Sequence, residues 1–300
     1  MRIGYPCINR SIGCSPSGTF RLASYTEARL RTTVAGNLAC LEKILSYNHS
    51  NGFLFFRITS DLIPFASHPV CRFVWQEYFS KDFKRLGTII RQNQCRVSMH
   101  PNQFVLLNAP REDIVGRSIA ELEYHASVLD LMGLDTMAKI QIHVGGVYGD
   151  KDAAIGRFVE IYQVLDPAIR RRLVIENDER LYTVSDCLQI SRETGVPVLF
   201  DVFHHALNNH GECIDELIDR ISETWKPADG LMMVDYSSQQ PGKRVGAHAE
   251  TIDPGDFSRF LYVTRSHDMD IMLEIKDKEK SARTALQSAA GDPRLVIPIS

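Results

Sequence analysis

The chain has 300 residues, of which 44% are hydrophobic, 24% charged and 9% aromatic, an ordinary globular composition that excludes a disordered chain, a collagen-like repeat and a coiled coil. Thirty-four Lys and Arg against 37 Asp and Glu give a net charge of -3, so no global positive field marks a non-specific polyanion binder, and any contact with nucleic acid must be local. No apolar run approaches the roughly 18 residues of a membrane span, and no apolar signal segment follows the N-terminus, so a cytoplasmic protein is expected.

The seven cysteines, at positions 7, 14, 40, 71, 95, 187 and 213, form no C-x-x-C pair and are odd in number. They are expected to be reduced, mostly buried thiols.

Taken in chain order, Arg2 to Cys7 reads as a strand, because Ile3 and Tyr5 alternate with small residues. Ser24 to Tyr47 reads as an amphipathic helix with Leu30, Val34, Leu38, Leu41 and Leu45 on one face, Ser24 as its N-cap and Glu27 completing a capping box. The strand pattern returns at Phe53 to Thr59, Arg96 to His100, Lys139 to Val144, Leu173 to Glu176, Val196 to Asp201, Leu231 to Asp235 and Asp270 to Ile275. Helical spacing fills the intervals Lys81 to Gln92, Ile114 to Leu131, Ala153 to Leu165, Thr183 to Thr194 and Ile214 to Trp225. The connection from Ser237 to Asp256 is long and polar, with Pro241, Gly242 and Gly246, and is expected to build part of a mouth. Eight strands that alternate with helices and are apolar on both faces, such as KIQIHV and LVIE, predict an α/β fold, a (β/α)8 barrel, with residues 1–300 as one domain.

In such a barrel the chemistry lies at the C-terminal ends of the strands. Here those ends carry His100, His143, Glu176, Asp201 with His204 close behind, Asp235 and Glu274; His68 follows the second strand and His248 lies in the loop after the seventh. Four carboxylates converging on one mouth repel by roughly 4 kcal/mol for each pair about 4 Å apart at an effective dielectric of 20, so the arrangement calls for cations. Imidazoles mixed with carboxylates suit zinc, manganese or iron, and nine donors suit two or three ions. Bridged ions of this kind activate water and stabilise the attacking and leaving oxygens of a phosphodiester in line.

The other histidines serve as a control. His49, His125, His210 and His267 fall at a helix end, on a helix or in polar loops and read as structural or solvated, and His205 reads as a supporting neighbour of His204. Arg57, Arg180 and Arg244, at or beyond strand ends, are candidates to hold flanking phosphates, whereas the Arg170 to Arg172 run precedes a strand and reads as solvated.

The segments GYPC at 4–7, MHPNQF at 99–104, IHVGGVYGDK at 142–151, IENDE at 175–179, FDVFHH at 200–205, DYSSQ at 235–239 and MLEIKDKE at 272–279 together resemble the UV damage endonucleases, in order and with similar spacing through almost the whole chain. The resemblance implies a barrel related in architecture to endonuclease IV that nicks DNA immediately 5′ to cyclobutane pyrimidine dimers, 6-4 photoproducts and, in many members, abasic sites. It implies up to three divalent ions, commonly manganese, with His68, His100, His143, Glu176, Asp201, His204, His248 and Glu274 as matching ligands. Glu176, Asp201 and Glu274 are the expected catalytic carboxylates. The resemblance also implies that Tyr5, Gln103 and Phe104 probe the damaged bases of double-stranded DNA, an aromatic and an amide filling the gap left by a dinucleotide that leaves the stack.

The chain departs from that family where members often carry a Lys and a His in a K-x-H pattern, the Lys able to become a carboxylated ligand. Here the positions are Met233 and Asp235. Met233 is a poor ligand for hard ions, and Asp235 keeps a ligand type while adding negative charge. Phe104 stands where several members have Tyr. Two rival functions remain at this level: a metal-dependent sugar isomerase or epimerase using Lys276 and Lys278, and a DNA-binding module that has lost cleavage. The chain shows no dimer surface and is expected to act as a monomer.

Overall fold

The computed structural model describes residues 1–297. Eight parallel strands close into one barrel in sequential order: β1 (Ile3–Pro6), β2 (Phe55–Ile58), β3 (Arg96–Met99), β4 (Lys139–His143), β5 (Leu173–Glu176), β6 (Val198–Asp201), β7 (Met232–Tyr236) and β8 (Met269–Leu273). The helices are α1 (Glu27–Ser50), α2 (Trp75–Tyr78), α3 (Ser80–Gln92), α4 (Glu112–Leu131), α5 (Lys151–Val164), α6 (Pro167–Arg170), α7 (Val184–Thr194), α8 (Val202–Leu207), α9 (Ile214–Ser222), α10 (Pro254–Val263) and α11 (Glu279–Ser288). The expected (β/α)8 barrel is observed, and every expected strand overlaps an observed one. No helix is long and apolar enough to cross a membrane.

Alternation along the strands sorts their side chains between the barrel interior and the helical layer. Ile3, Tyr5, Phe56, Ile58, Ile140, Ile142, Ile175, Phe200, Val234 and Ile271 join the large core shared with the helices. Phe55, Val174, Leu199, Met233 and Met272 form a separate apolar cluster inside the barrel. At the N-terminal end this cluster rests on an ionic plug, in which Arg96 donates to Asp270 at 2.9 Å and Lys139 to Asp229 at 2.5 Å. Two residues further along each strand from the apolar five stand Arg57, Glu176, Asp201, Asp235 and Glu274, which places these five together on the floor of the opposite, C-terminal mouth. The interior is crowded at β1: a Cβ on Gly4 would lie 1.7 Å from the Phe55 carbonyl oxygen, so no side chain fits there.

Four local expectations are corrected. The first helix begins at Glu27, capped by Thr26, whose hydroxyl accepts from the Arg29 amide at 3.2 Å; Ser24 ends a separate turn and builds no capping box. Cys14 and Cys40 are joined in a disulfide that ties the β1–α1 loop to α1, so not all the cysteines are free thiols. Arg172 is buried rather than solvated. It donates to Asp130 and to the carbonyls of Leu134, Asp135 and Ala138, locking the chain as it enters β5. The polar connection after β7 ends at Pro254, where Asp253 caps α10 by accepting from Gly255 and Asp256.

Candidate metal centre at the barrel mouth

His143 is the last residue of β4 and lies in register with Glu176, the last of β5, while His100 follows β3 directly. The Nε2 atoms of His100 and His143 lie 3.0 and 2.9 Å from the same oxygen, Glu176 Oε1. The other oxygen, Oε2, accepts from the Gln141 side-chain amide at 2.7 Å, and the same amide nitrogen donates to Asp235 Oδ2 at 2.8 Å. Glu176, Asp201 and Asp235 are all buried and offer oxygens within 4.8 Å of one another.

Asp201 ends β6 and caps α8, accepting from the His204 backbone amide at 2.7 Å, so the strand-to-helix turn that makes this short helix also fixes His204 beside the carboxylate. His204 Nδ1 lies 3.3 Å from Asp201 Oδ2. A line of imidazoles then crosses the mouth, with ring centroids separated by 5.4 Å from His100 to His143, 5.8 Å from His143 to His204 and 6.1 Å from His204 to His248. His248 Nδ1 is held by the Glu274 carbonyl at 2.9 Å and sits 3.8 Å from Glu274 Oε2.

The electrostatics follow from burial and pairing. Burial opposes ionisation of Glu176, yet His143 and His100 hold its carboxyl well below the usual range. Burial alone would lower the His143 imidazole, but Glu176 outweighs it and raises the group to about 9. Burial pushes Asp201 up to about 7, against the pull of His204. Burial also opposes the charge on Glu274, which Arg57 nevertheless holds down at about 2. Glu176 therefore keeps its charge by facing protonated imidazoles, and a divalent ion would take the place of those protons. Imidazole nitrogens that converge with buried carboxylate oxygens are the donor chemistry that such an ion requires, so the residues present fit one.

Of the residues singled out by sequence, His100, His143, Glu176, Asp201 and Asp235 are brought together, with His204, His248 and Glu274 around them. His68 is not: its ring is exposed beside Phe65, and its Nδ1 accepts from the Val70 amide at 3.0 Å. Gln103 and Phe104 project from the loop after β3, Phe104 at 77% exposure. Tyr5 is a correction. As an outward residue of β1 it is completely buried, edge-on to Phe53 and Phe56, with its hydroxyl donating to Asn48 and accepting from Asn9, so it offers no surface to DNA. Arg57 is a second correction: it is 2% exposed and bound to Asp235 and Glu274, not free to hold a flanking phosphate. Arg180 and Arg244 are exposed, and Arg180 pairs with Glu179. Sequence reasoning passed over Gln141, although its position two residues before His143 on the same strand marks it as inward-facing. It also passed over Asn177, whose amide exchanges hydrogen bonds with the Asp201 backbone at 2.9 and 3.0 Å.

The family model described as UV-endonuclease UvdE matches residues 1–289. This chain belongs to that family. A UV DNA damage endonuclease of Clostridium perfringens is 37% identical over 290 residues, spanning 96% of this chain and 70% of the relative. The crystal structure of SacUVDE superposes with a TM-score of 0.93 at 44% identity, covering 97% of this chain and 98% of the other. Endonuclease IV from Thermus thermophilus, with a TM-score of 0.58 and 17% identity over 84% of this chain and 93% of its own, shares the barrel alone. In this member of the UvdE family, the mouth described above is the place where polar side chains from seven of the eight strands and their following loops meet.

Proposed function

We propose that the chain is a metal-dependent DNA repair endonuclease that nicks the phosphodiester backbone immediately 5′ to UV photoproducts, both cyclobutane dimers and 6-4 photoproducts, and to abasic sites. One observation carries the reading: in a chain of the UvdE family, two imidazoles converge on one oxygen of the buried Glu176 at the open end of the barrel. Two or three divalent ions, most readily manganese and alternatively zinc, would be held by His100, His143, Glu176, Asp201, His204, His248 and Glu274. Bound there, they would activate water and stabilise charge on the attacking and leaving oxygens.

The chain's own groups do the rest. Gln141 fixes the orientation of Glu176, so that its other oxygen stays turned to the imidazoles. Asp201 and Asn177 fix the turn that aims His204 across the mouth. Gln103 and Phe104, standing out from the rim, fill the gap left in double-stranded DNA when the damaged dinucleotide leaves the stack. The protein acts as a monomer in this reading.

A UV-irradiated supercoiled plasmid tests it. Purified protein with manganese should relax the irradiated plasmid by nicking and leave unirradiated plasmid closed. Equal survival of the two would refute the substrate assignment. Turnover of a ketose without nicking would favour the isomerase reading, and binding to lesions without cleavage under any metal would favour a degraded binding module.

A further inference from the structure

Arg57 enters the mouth from the interior face of β2 and is 2% exposed. Its Nη2 donates to both oxygens of Asp235 at 2.7 Å, and its Nη1 donates to Glu274 Oε1. Gln141 is a second donor to Asp235 and makes the third hydrogen bond, on Oδ2. Of the four lone-pair directions of a carboxylate, three at Asp235 are therefore engaged. Arg57 and Gln141 thus surround Asp235 with donors at the bottom of the mouth, where burial pushes its carboxyl up against the pull of Arg57.

A guanidinium cannot shed its proton, and the apolar cluster of Phe55, Val174, Leu199, Met233 and Met272 lies below it. Separating Arg57 from Asp235 in this interior would strand two buried charges, at a cost well above that of an exposed pair. The pair is thus part of the floor of the mouth. Glu274, by contrast, gives one oxygen to Arg57 and turns the other toward His248, so it keeps a free donor.

We propose that Arg57 is a resident cation standing where a further metal ion would otherwise sit, that Asp235 is its counter-ion and not a metal ligand, and that the centre holds two divalent ions. The proposal rests on the metal-dependent reading above and refines it. With ions bound and Glu176, Asp201, Asp235 and Glu274 all ionised, Arg57 and two divalent ions would meet the four negative charges with a single positive charge in excess, facing the single negative charge of a phosphodiester, whereas a third ion would raise that excess to three. Position 233 provides no further donor, since Met233 is fully buried in the apolar cluster one pleat below.

Metal counting tests the proposal without DNA. Chelator-stripped protein dialysed against manganese and analysed for bound metal should hold two ions per chain, Asp235→Asn should still hold two, and Arg57→Gln should take up one more. Three ions on the unaltered chain, loss of an ion in Asp235→Asn, or an unchanged count in a folded Arg57→Gln would each overturn it. Should Arg57→Gln fail to fold, the unaltered chain and Asp235→Asn decide. A protein that binds two ions yet leaves irradiated plasmid intact would refute the proposed activity and leave this assignment standing, whereas uptake of no ion would end both.

Discussion

The Gln141 amide nitrogen lies 2.7 Å from Glu176 Oε2, two residues below His143 on the same strand, so the group that orients the carboxylate and the imidazole that faces it are spaced by one pleat of β4. Groups that orient a metal ligand without touching the ion typically matter by 10–100-fold in affinity or activity. Gln141→Leu, which keeps the volume and removes the donor, should lower both manganese affinity and the nicking rate by about that factor. An unchanged affinity, read by titration calorimetry, would show that Glu176 is held by its imidazoles alone.

Glu176 stands at the centre of the arrangement, and its replacement is expected to act on the chemical step. Glu176→Gln should reduce nicking by on the order of 1,000-fold or more while leaving binding to irradiated duplex within a few-fold, because the rim residues Gln103 and Phe104 proposed to meet DNA are untouched. Gel-shift and single-turnover assays on one damaged oligonucleotide separate the two. A parallel loss of binding would move Glu176 from chemistry to scaffold.

At the rim, Phe104 is 77% exposed and makes no cluster with the core, so truncating it leaves the fold intact. Stacking of one base on an aromatic is worth about 1–3 kcal/mol, or roughly 5- to 150-fold in affinity. Phe104→Ala should therefore lose that factor for irradiated DNA and much less for undamaged DNA, and Phe104→Tyr should lose nothing. A uniform loss on both DNAs would mean that the ring serves general contact rather than lesion recognition.

The Cys14–Cys40 bridge closes a loop of 26 residues between the β1–α1 connection and the middle of α1. Chain-entropy arguments give about 3.5 kcal/mol for a loop of that size. Reduction, or the Cys14→Ser variant, should lower the unfolding free energy by about that amount at unchanged metal content. Denaturant titrations with and without reductant provide the check.

The barrel was legible because strands buried on both faces leave near-continuous apolar runs, and the mouth because the residues ending those runs are ligands by type. What stayed hidden depended on direction. Arg57 reads as a free phosphate holder until its register with Pro6 and Ser98 turns it inward onto Asp235. Tyr5 reads as a surface probe until the same alternation turns it outward onto Asn48 of α1. The disulfide, the buried Arg172 and the three short helices α2, α6 and α8 depend on the path of loops, which periodicity does not encode. His68 was placed in the ligand set because it follows the second strand and by the family resemblance, and its loop carries it to the surface.

The control histidine His125 supplies a test away from the mouth. It is fully buried in α4, its Nδ1 donates to the Glu121 carbonyl at 2.7 Å, and its Nε2 has no partner. Burial lowers its protonation to about 4, so at neutral pH the folded protein holds it as the neutral imidazole. In the unfolded chain the same group titrates near 6.5. Between those values the unfolded chain binds the extra proton, so stability from this group is complete above about pH 6.5 and declines as the pH falls toward 4, by up to about 3 kcal/mol. His125→Gln, which does not titrate, should flatten the fall in Tm over that interval relative to the unaltered chain, even if its stability at pH 8 is lower. Parallel Tm profiles for the two proteins from pH 7 to pH 4 would show that another group governs the acid limb.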